Sequence, residues 1–291
     1  MRKVWIEVAL NGAWSRRLQP GIPDTVEQIV AEGIACARAG ASIVHTHAYA
    51  EDGKQTFDWR VYARIIERIR AAVVVPVYPS YPTIEETGID GDAASRFAHI
   101  EALADRGLLD FAIIDPGSVN LTLATTRAGA KPAGIYLNPE AHVRHSLDFA
   151  NRKGLHPAFA IYEPGFTRAG AALARAAGVK PPVYRFMFSE TFAFGFPPKP
   201  YALAAHLALL EDEMASAPWM IAGLAADVRP LIGETVARGG HVRVGLEDAP
   251  LGTTMGNLAW VEEAVRLVRE NGAEPATGAD VRHALAMLAL A

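Results

Sequence analysis

The sequence predicts a closed (β/α)8 barrel in a single domain spanning residues 1–291. Two observations carry that expectation. Short apolar runs alternate with longer segments of helical period from one end of the chain to the other, and eight such pairs can be laid out, which is the pattern of a parallel sheet joined by helices. The first strand also lacks the glycine-rich turn that opens a dinucleotide-binding sheet, since "ALNGAWSRR" holds one glycine. Periodicity alone also fits an open doubly wound sheet.

"KVWIEVAL" reads as the first strand, and the helix after it begins in "PDTVEQIVAEGIACARAG", where Asp24 and Glu27 have capping-box spacing and Gly40 is a stop signal. "SIVHTH" is strand two, "DWRVYARIIERIRAA" a helix, "VVVPVYPS" strand three, "AASRFAHIEALADRG" a helix and "LDFAII" strand four. "PEAHVRHSLDFANRKG" is helical, "HPAFAIYE" strand five, "RAGAALARAAG" helical and "PVYRFMFS" strand six. The helix "PYALAAHLALLEDEMAS", strand "PWMIAGL", helix "VRPLIGETVARGG", strand "HVRVGLED" and helix "GNLAWVEEAVRLVRENG" follow, and a helix near "GADVRHALAML" closes the chain. No linker or low-complexity tract divides it.

Composition narrows the function. With 51% hydrophobic and 21% charged residues the chain has the make-up of a folded protein. A net charge of −4 and no basic block argue against a nucleic-acid partner. Cys36 is the single cysteine, which excludes an internal disulfide and a cysteine metal cluster and fits a reducing cytoplasm. No apolar run approaches the roughly 20 residues of a membrane span, and the N-terminus carries no signal-peptide pattern.

The active site of such a barrel lies at the C-terminal ends of its strands. Strand two ends in His45 and His47, which at a spacing of two share one face and suit two ligands of one metal ion. Arg243, Gly245 and Glu247 share one face of strand eight, so Glu247 is a third ligand, and a set of two imidazoles and one carboxylate leaves zinc an open position. Asp248 at that strand end suits a general base, with Arg243 orienting it through bidentate contact. Each residue also has a plainer reading: an HxH pair is more often not a metal site, Arg243 and Glu247 make a structural ion pair, and Ser80 and Ser118 are turn residues. The remaining histidines fall on helices or at strand starts and read as surface or packing residues.

"EVALNGA", "AGASIVHTHAYAEDG", "DPGSVN" and "GGHVRVGLED", in that order over nearly the whole chain, resemble the β-keto acid cleavage enzyme family, which includes the 3-keto-5-aminohexanoate cleavage enzymes. The resemblance implies a zinc-bearing barrel that condenses a β-keto acid with acetyl-CoA to give acetoacetate and an acyl-CoA, in a homotetramer. It implies His45, His47 and Glu247 as metal ligands, Asp248 as the base, Arg243 as its support and Ser80 as a contributing serine. Three positions depart from the family: Tyr49 stands where an arginine is common, Ile113 where the fourth strand usually brings a threonine or serine, and the bulky "FSETFAFGFPPKP" where glycine is frequent. These departures bear on the substrate pocket, where an aromatic group formed by Phe186, Phe188, Phe192, Phe194 and Phe196 would favour an apolar group. Two rival readings are an amidohydrolase-type hydrolase, which would need further histidines on strands five and six, and a zinc-retaining barrel that binds a small carboxylate or CoA ester without turnover.

Overall fold

The computed structural model describes residues 1–84, 92–130 and 134–288. Eight parallel strands form one sheet: β1 (Ile6–Ala9), β2 (Ile43–Thr46), β3 (Val77–Pro79), β4 (Phe111–Ile114), β5 (His156–Ile161), β6 (Val183–Phe188), β7 (Trp219–Gly223) and β8 (His241–Val244). Their order is β3-β2-β1-β8-β7-β6-β5-β4. The two ends of that ladder are neighbours in sequence, so the sheet curls almost fully into a barrel. At the remaining seam Tyr78 and Phe111 meet edge to face, ring centres 5.8 Å apart.

The helices α1 (Val26–Ala39), α2 (Trp59–Ala72), α3 (Ala93–Ala104), α4 (Glu140–Lys153), α5 (Pro164–Ala177), α6 (Pro200–Met214), α7 (Ile232–Ala237), α8 (Asn257–Glu270) and α9 (Gly278–Leu288) follow the strands. α1 starts one residue later than its expected cap: Thr25, not Asp24, accepts from the Gln28 amide, so the capping pair is Thr25 with Gln28. Gly40 ends the helix as expected, its amide bonded back to Ala37 and Cys36. No helix among the described residues is long and apolar enough to cross a membrane.

Three layers stack along the barrel axis. At the bottom, Ile43, Tyr78, Phe111, Ala158, Val183 and Met220 form an apolar plug, closed from below by Val281 and Leu285 of α9. In the middle lies a buried polar layer of Glu7, Arg185 and Arg243 with the Tyr78 hydroxyl. Above it opens a cavity. A much larger apolar shell between strands and helices surrounds this column, so the charged residues sit on a rigid, dry support.

Candidate metal centre and active site

His45 lies near the end of β2 and His47 just beyond it, and their rings stand edge to face with centres 5.3 Å apart, the side-by-side arrangement that the two-residue spacing predicts. Asn11 holds the His47 backbone from both sides: its Oδ1 accepts from the His47 amide at 2.9 Å and its Nδ2 donates to the His47 carbonyl at 3.0 Å. His47 Nδ1–H donates to the Gln55 amide oxygen at 2.5 Å. That bond fixes the tautomer and leaves the Nε2 lone pair facing Glu247.

Glu247 arrives differently from the sequence expectation. β8 stops at Val244, and residues 245–248 form a turn in which the Asp248 and Ala249 amides bond to the Gly245 carbonyl. Strand alternation therefore does not place Glu247; the turn does. Gly245 has φ +128°, and a Cβ there would stand 2.3 Å from the Ala9 carbonyl oxygen, so a side chain would separate β8 from β1. Trp14 Nε1 donates to the Glu247 carbonyl at 2.7 Å and Gln19 Nε2 to that of Leu246 at 3.0 Å, pinning the turn from the loop after β1.

The result is a convergent trio. Ligand atoms of His45, His47 and Glu247 lie within 4.8 Å of one another, with His45 Nε2 3.3 Å from Glu247 Oε2 and His47 Nε2 3.6 Å from Oε1. Burial lowers the His45 pKa, against the pull of the Glu247 carboxylate. Burial alone would raise Glu247, but His45, Arg243 and His47 hold its carboxyl well below the usual range. Glu247 Oε2 is buried and faces His45 Nε2 at 3.3 Å. An ionised carboxylate oxygen so placed is costly unless a cation takes it, and the donor set of two imidazoles and one carboxylate fits a metal ion with an open position.

Arg243 and Asp248 stand beneath the trio. Arg243 donates through Nε to Asp248 Oδ2 at 2.9 Å, through Nη2 to Oδ1 at 2.8 Å and through Nη1 to Glu7 Oε1 at 3.0 Å, and Nη2 also lies 3.0 Å from Glu247 Oε1. Burial pushes the Asp248 carboxyl up to about 6, against the opposing charge of Arg243. Glu7 is enclosed by Arg185, Arg243 and the Tyr78 hydroxyl; burial alone would raise its pKa, yet the two guanidinium groups bring it below the ordinary carboxylate value.

The cavity above has a volume of about 370 Å³, and its wall includes His45, His47, Gln55, Ser80, Arg185, Arg243 and Glu247. The structure thus gathers five of the six sequence-proposed residues into one wall. Asp248 lies just behind Arg243 rather than in the wall itself. Ile113 lines the cavity, but Tyr49 does not: its hydroxyl donates to the Gly12 carbonyl at 2.5 Å, anchoring the loop after β1. The aromatic group also divides. Phe192 lines the cavity, whereas Phe186 and Phe188 are core residues packed on His206, and Phe194 stacks behind Phe192. The alternation of β6 explains this, because Arg185 and Met187 point into the barrel and Phe186 and Phe188 point out to the helices.

Sequence reasoning passed over Arg185, Tyr78 and Gln55. A lone arginine in the apolar run "PVYRFMF" was the available signal for the first, since a charge in a buried strand requires a partner inside the barrel. No histidine from the ends of β5 or β6 joins the trio among the described residues, which leaves the hydrolase reading without its ligands.

Two histidines and a carboxylate together at the C-terminal ends of the strands give this barrel a candidate metal site where the active site of such a barrel lies. The particular family follows from comparison. A family model described as beta-keto acid cleavage enzyme matches residues 3–287, and the chain belongs to that family. It is 26% identical to the 3-keto-5-aminohexanoate cleavage enzyme of Fusobacterium nucleatum, over 99% of each chain. It is likewise 26% identical to the 3-oxoadipate:acetyl-CoA acetyltransferase of Cupriavidus necator, over 97% of this chain and 94% of that one. Among solved structures, apo ObcA superposes with a TM-score of 0.71 at 17% identity, over 92% of this chain and 66% of that one, a likeness of fold.

Proposed function

We propose that this chain is a zinc enzyme that condenses a β-keto acid with acetyl-CoA, giving acetoacetate and a shortened acyl-CoA. The observation that carries this reading is the convergence of His45, His47 and Glu247 in the wall of a closed-in cavity. The family membership supports it, as do the names of the two relatives, one a β-keto acid cleavage enzyme and one an acetyl-CoA acetyltransferase.

The reaction balances without oxidant, reductant or water. The CH2–COO⁻ portion of the keto acid leaves joined to the acetyl group as acetoacetate, and the remaining acyl portion leaves on the thiol of CoA. His45, His47 and Glu247 would hold the zinc ion, which would supply Lewis-acid chemistry toward the substrate. Asp248 is the base that takes the substrate proton; a pKa near 6 keeps it ionised at neutral pH yet more basic than an ordinary carboxylate. Arg243 holds Asp248 by two nitrogens, so it sets the orientation in which the proton is received. Arg185 lines the cavity with an unpartnered Nε–H and donates to a substrate oxygen. Ser80, whose hydroxyl is only 3.5 Å from the Tyr81 carbonyl, is free to turn its proton toward the same region.

Metal analysis by inductively coupled plasma mass spectrometry, on wild type and His47→Ala, tests the centre, and acetoacetate formation from a panel of β-keto acids with acetyl-CoA tests the reaction. About one zinc per chain, lost in the mutant, is the expected result. Asp248→Asn is expected to keep the zinc and lose turnover; an active, zinc-loaded Asp248→Asn protein removes that residue from the base role. No bound metal after zinc is added back overturns the reading.

A further inference from the structure

One buried side chain joins the two backbone stretches on which the metal trio is mounted. Asn257 is the first residue of α8 and has an exposure of 1%. Its Oδ1 accepts from the Leu246 amide at 2.8 Å. Its Nδ2 donates to the Leu10 carbonyl at 2.8 Å and to Glu32 Oε2, on α1, at 2.6 Å.

Two of these bonds bear directly on a ligand. Leu246 precedes Glu247 in the turn after β8, beyond the end of the strand at Val244, and Asn257 supplies the acceptor for its buried N–H. Leu10 follows β1, and its own amide donates to the His45 carbonyl at 3.0 Å. The next residue, Asn11, is the one that holds the His47 backbone. A single carboxamide therefore stands between the backbone that carries Glu247 and the backbone that holds both histidines.

The chemistry of the position requires an amide. The Leu10 carbonyl and the Glu32 carboxylate both need a donor, whereas the Leu246 N–H needs an acceptor, so only one orientation of the Asn257 side chain satisfies all three. Aspartate has nearly the same shape but no donor when ionised, and it would set a carboxylate against the Leu10 carbonyl oxygen and the Glu32 carboxylate. We propose that Asn257 is a positioning residue for the metal centre. It fixes the spacing between the Glu247 turn and the end of β1, and with it the distance of Glu247 from His45 and His47, while Glu32 holds the amide in the required orientation. The proposal rests on the reading of that trio as a zinc site.

Zinc affinity of the metal-free protein, measured by competition against a fluorescent chelator, tests this without requiring turnover. The variants are Asn257→Asp, which loses both donor bonds with little change of volume, and Asn257→Asp combined with Glu32→Gln, in which the glutamine amide can donate to the new carboxylate. Asn257→Asp is expected to bind zinc about 10–100-fold more weakly than wild type, the range for loss of a group that orients metal ligands. The double variant is expected to fall between the two, because the bond to residue 32 is restored and the bond to Leu10 is not. Urea unfolding in the presence of a chelator reports stability separately. A residue with a merely structural role would lower the urea midpoint and leave the zinc affinity of the folded protein unchanged, and that result overturns the proposal. So does a double variant that binds zinc no more tightly than Asn257→Asp. If Asn257→Asp does not fold, the double variant decides alone: weaker binding than wild type supports the proposal and equal binding overturns it. Failure of the underlying reading looks different, since the wild-type protein itself would then bind no zinc.

Discussion

Arg243 clasps Asp248 with two nitrogens and reaches Glu7 with a third, so one buried guanidinium joins the proposed base to the polar layer inside the barrel. Removing one partner of such a cluster leaves the others buried and uncompensated. Arg243→Ala is therefore expected to destabilise the fold by about 3–5 kcal/mol. Arg243→Lys keeps the charge but cannot span three carboxylates from one ammonium, so it should fold and lose about 100-fold in turnover through misplacement of Asp248. Urea unfolding and steady-state kinetics on the two variants check this, and a fully active Arg243→Lys enzyme would show that the bidentate geometry is dispensable.

Gln55 is the outer partner of His47, with its amide oxygen 2.5 Å from Nδ1. Losing such a partner frees the imidazole to rotate and to change tautomer. Gln55→Ala should weaken metal affinity by about 10–100-fold without removing a ligand. Competition against a fluorescent chelator measures it directly. Affinity equal to wild type would mean that Asn11 and the strand end suffice to orient His47.

The sequence made the barrel legible because eight alternating segments leave little choice of topology, and it made the two histidines legible because a strand end with period two fixes their face. The turn that carries Glu247 was less legible. "HVRVGLED" continues the alternation on paper, yet Gly245 breaks the strand with a positive φ, and no side-chain pattern records that. Arg185 and Tyr78 were hidden for a related reason. They occupy strands whose other residues are apolar, and only the closed barrel brings them to Glu7 from a separation of 178 and 71 residues. Gln55 lies on a short strand after the loop that carries no periodicity at all.

Acid should destabilise the protein through histidines outside the metal trio. Burial lowers His99, His156 and His206 to about 4 and His241 to about 3, so each is neutral in the folded state where the unfolded chain, near 6.5, is already protonating. The unfolded state thus binds more protons below that value, and the stability present above pH 6.5 is lost as the pH falls toward the folded pKa values. For a shift of this size the contribution is on the order of 3 kcal/mol per ring. His206 packs on Phe186 with ring centres 4.5 Å apart and both its nitrogens unpartnered. In the presence of a chelator, His206→Leu should show a shallower fall of urea midpoint between about pH 6.5 and 4 than wild type. A parallel fall would mean that His206 is not protonated differently in the two states.

Gly245 offers the sharpest separation of backbone conformation from close approach. Gly53 also has a positive φ, +76°, but a Cβ there meets nothing within 4 Å, whereas at Gly245 it would meet Ala9 O, C and N at 2.3–2.9 Å. Both Gly→Ala substitutions pay for the left-handed conformation, about 1–2 kcal/mol. Only Gly245→Ala must also push β8 away from β1, where Val244 pairs with Val8. That displacement carries Glu247 and Asp248 with it, because the Asp248 amide is bonded to the Gly245 carbonyl at 3.1 Å. Gly53→Ala is thus expected to retain full metal content with a modest loss of stability, and Gly245→Ala to lose metal even in the fraction that folds. Equal metal content in the two variants would show that the turn can relax around an added methyl group and that the β1–β8 contact does not position the third ligand.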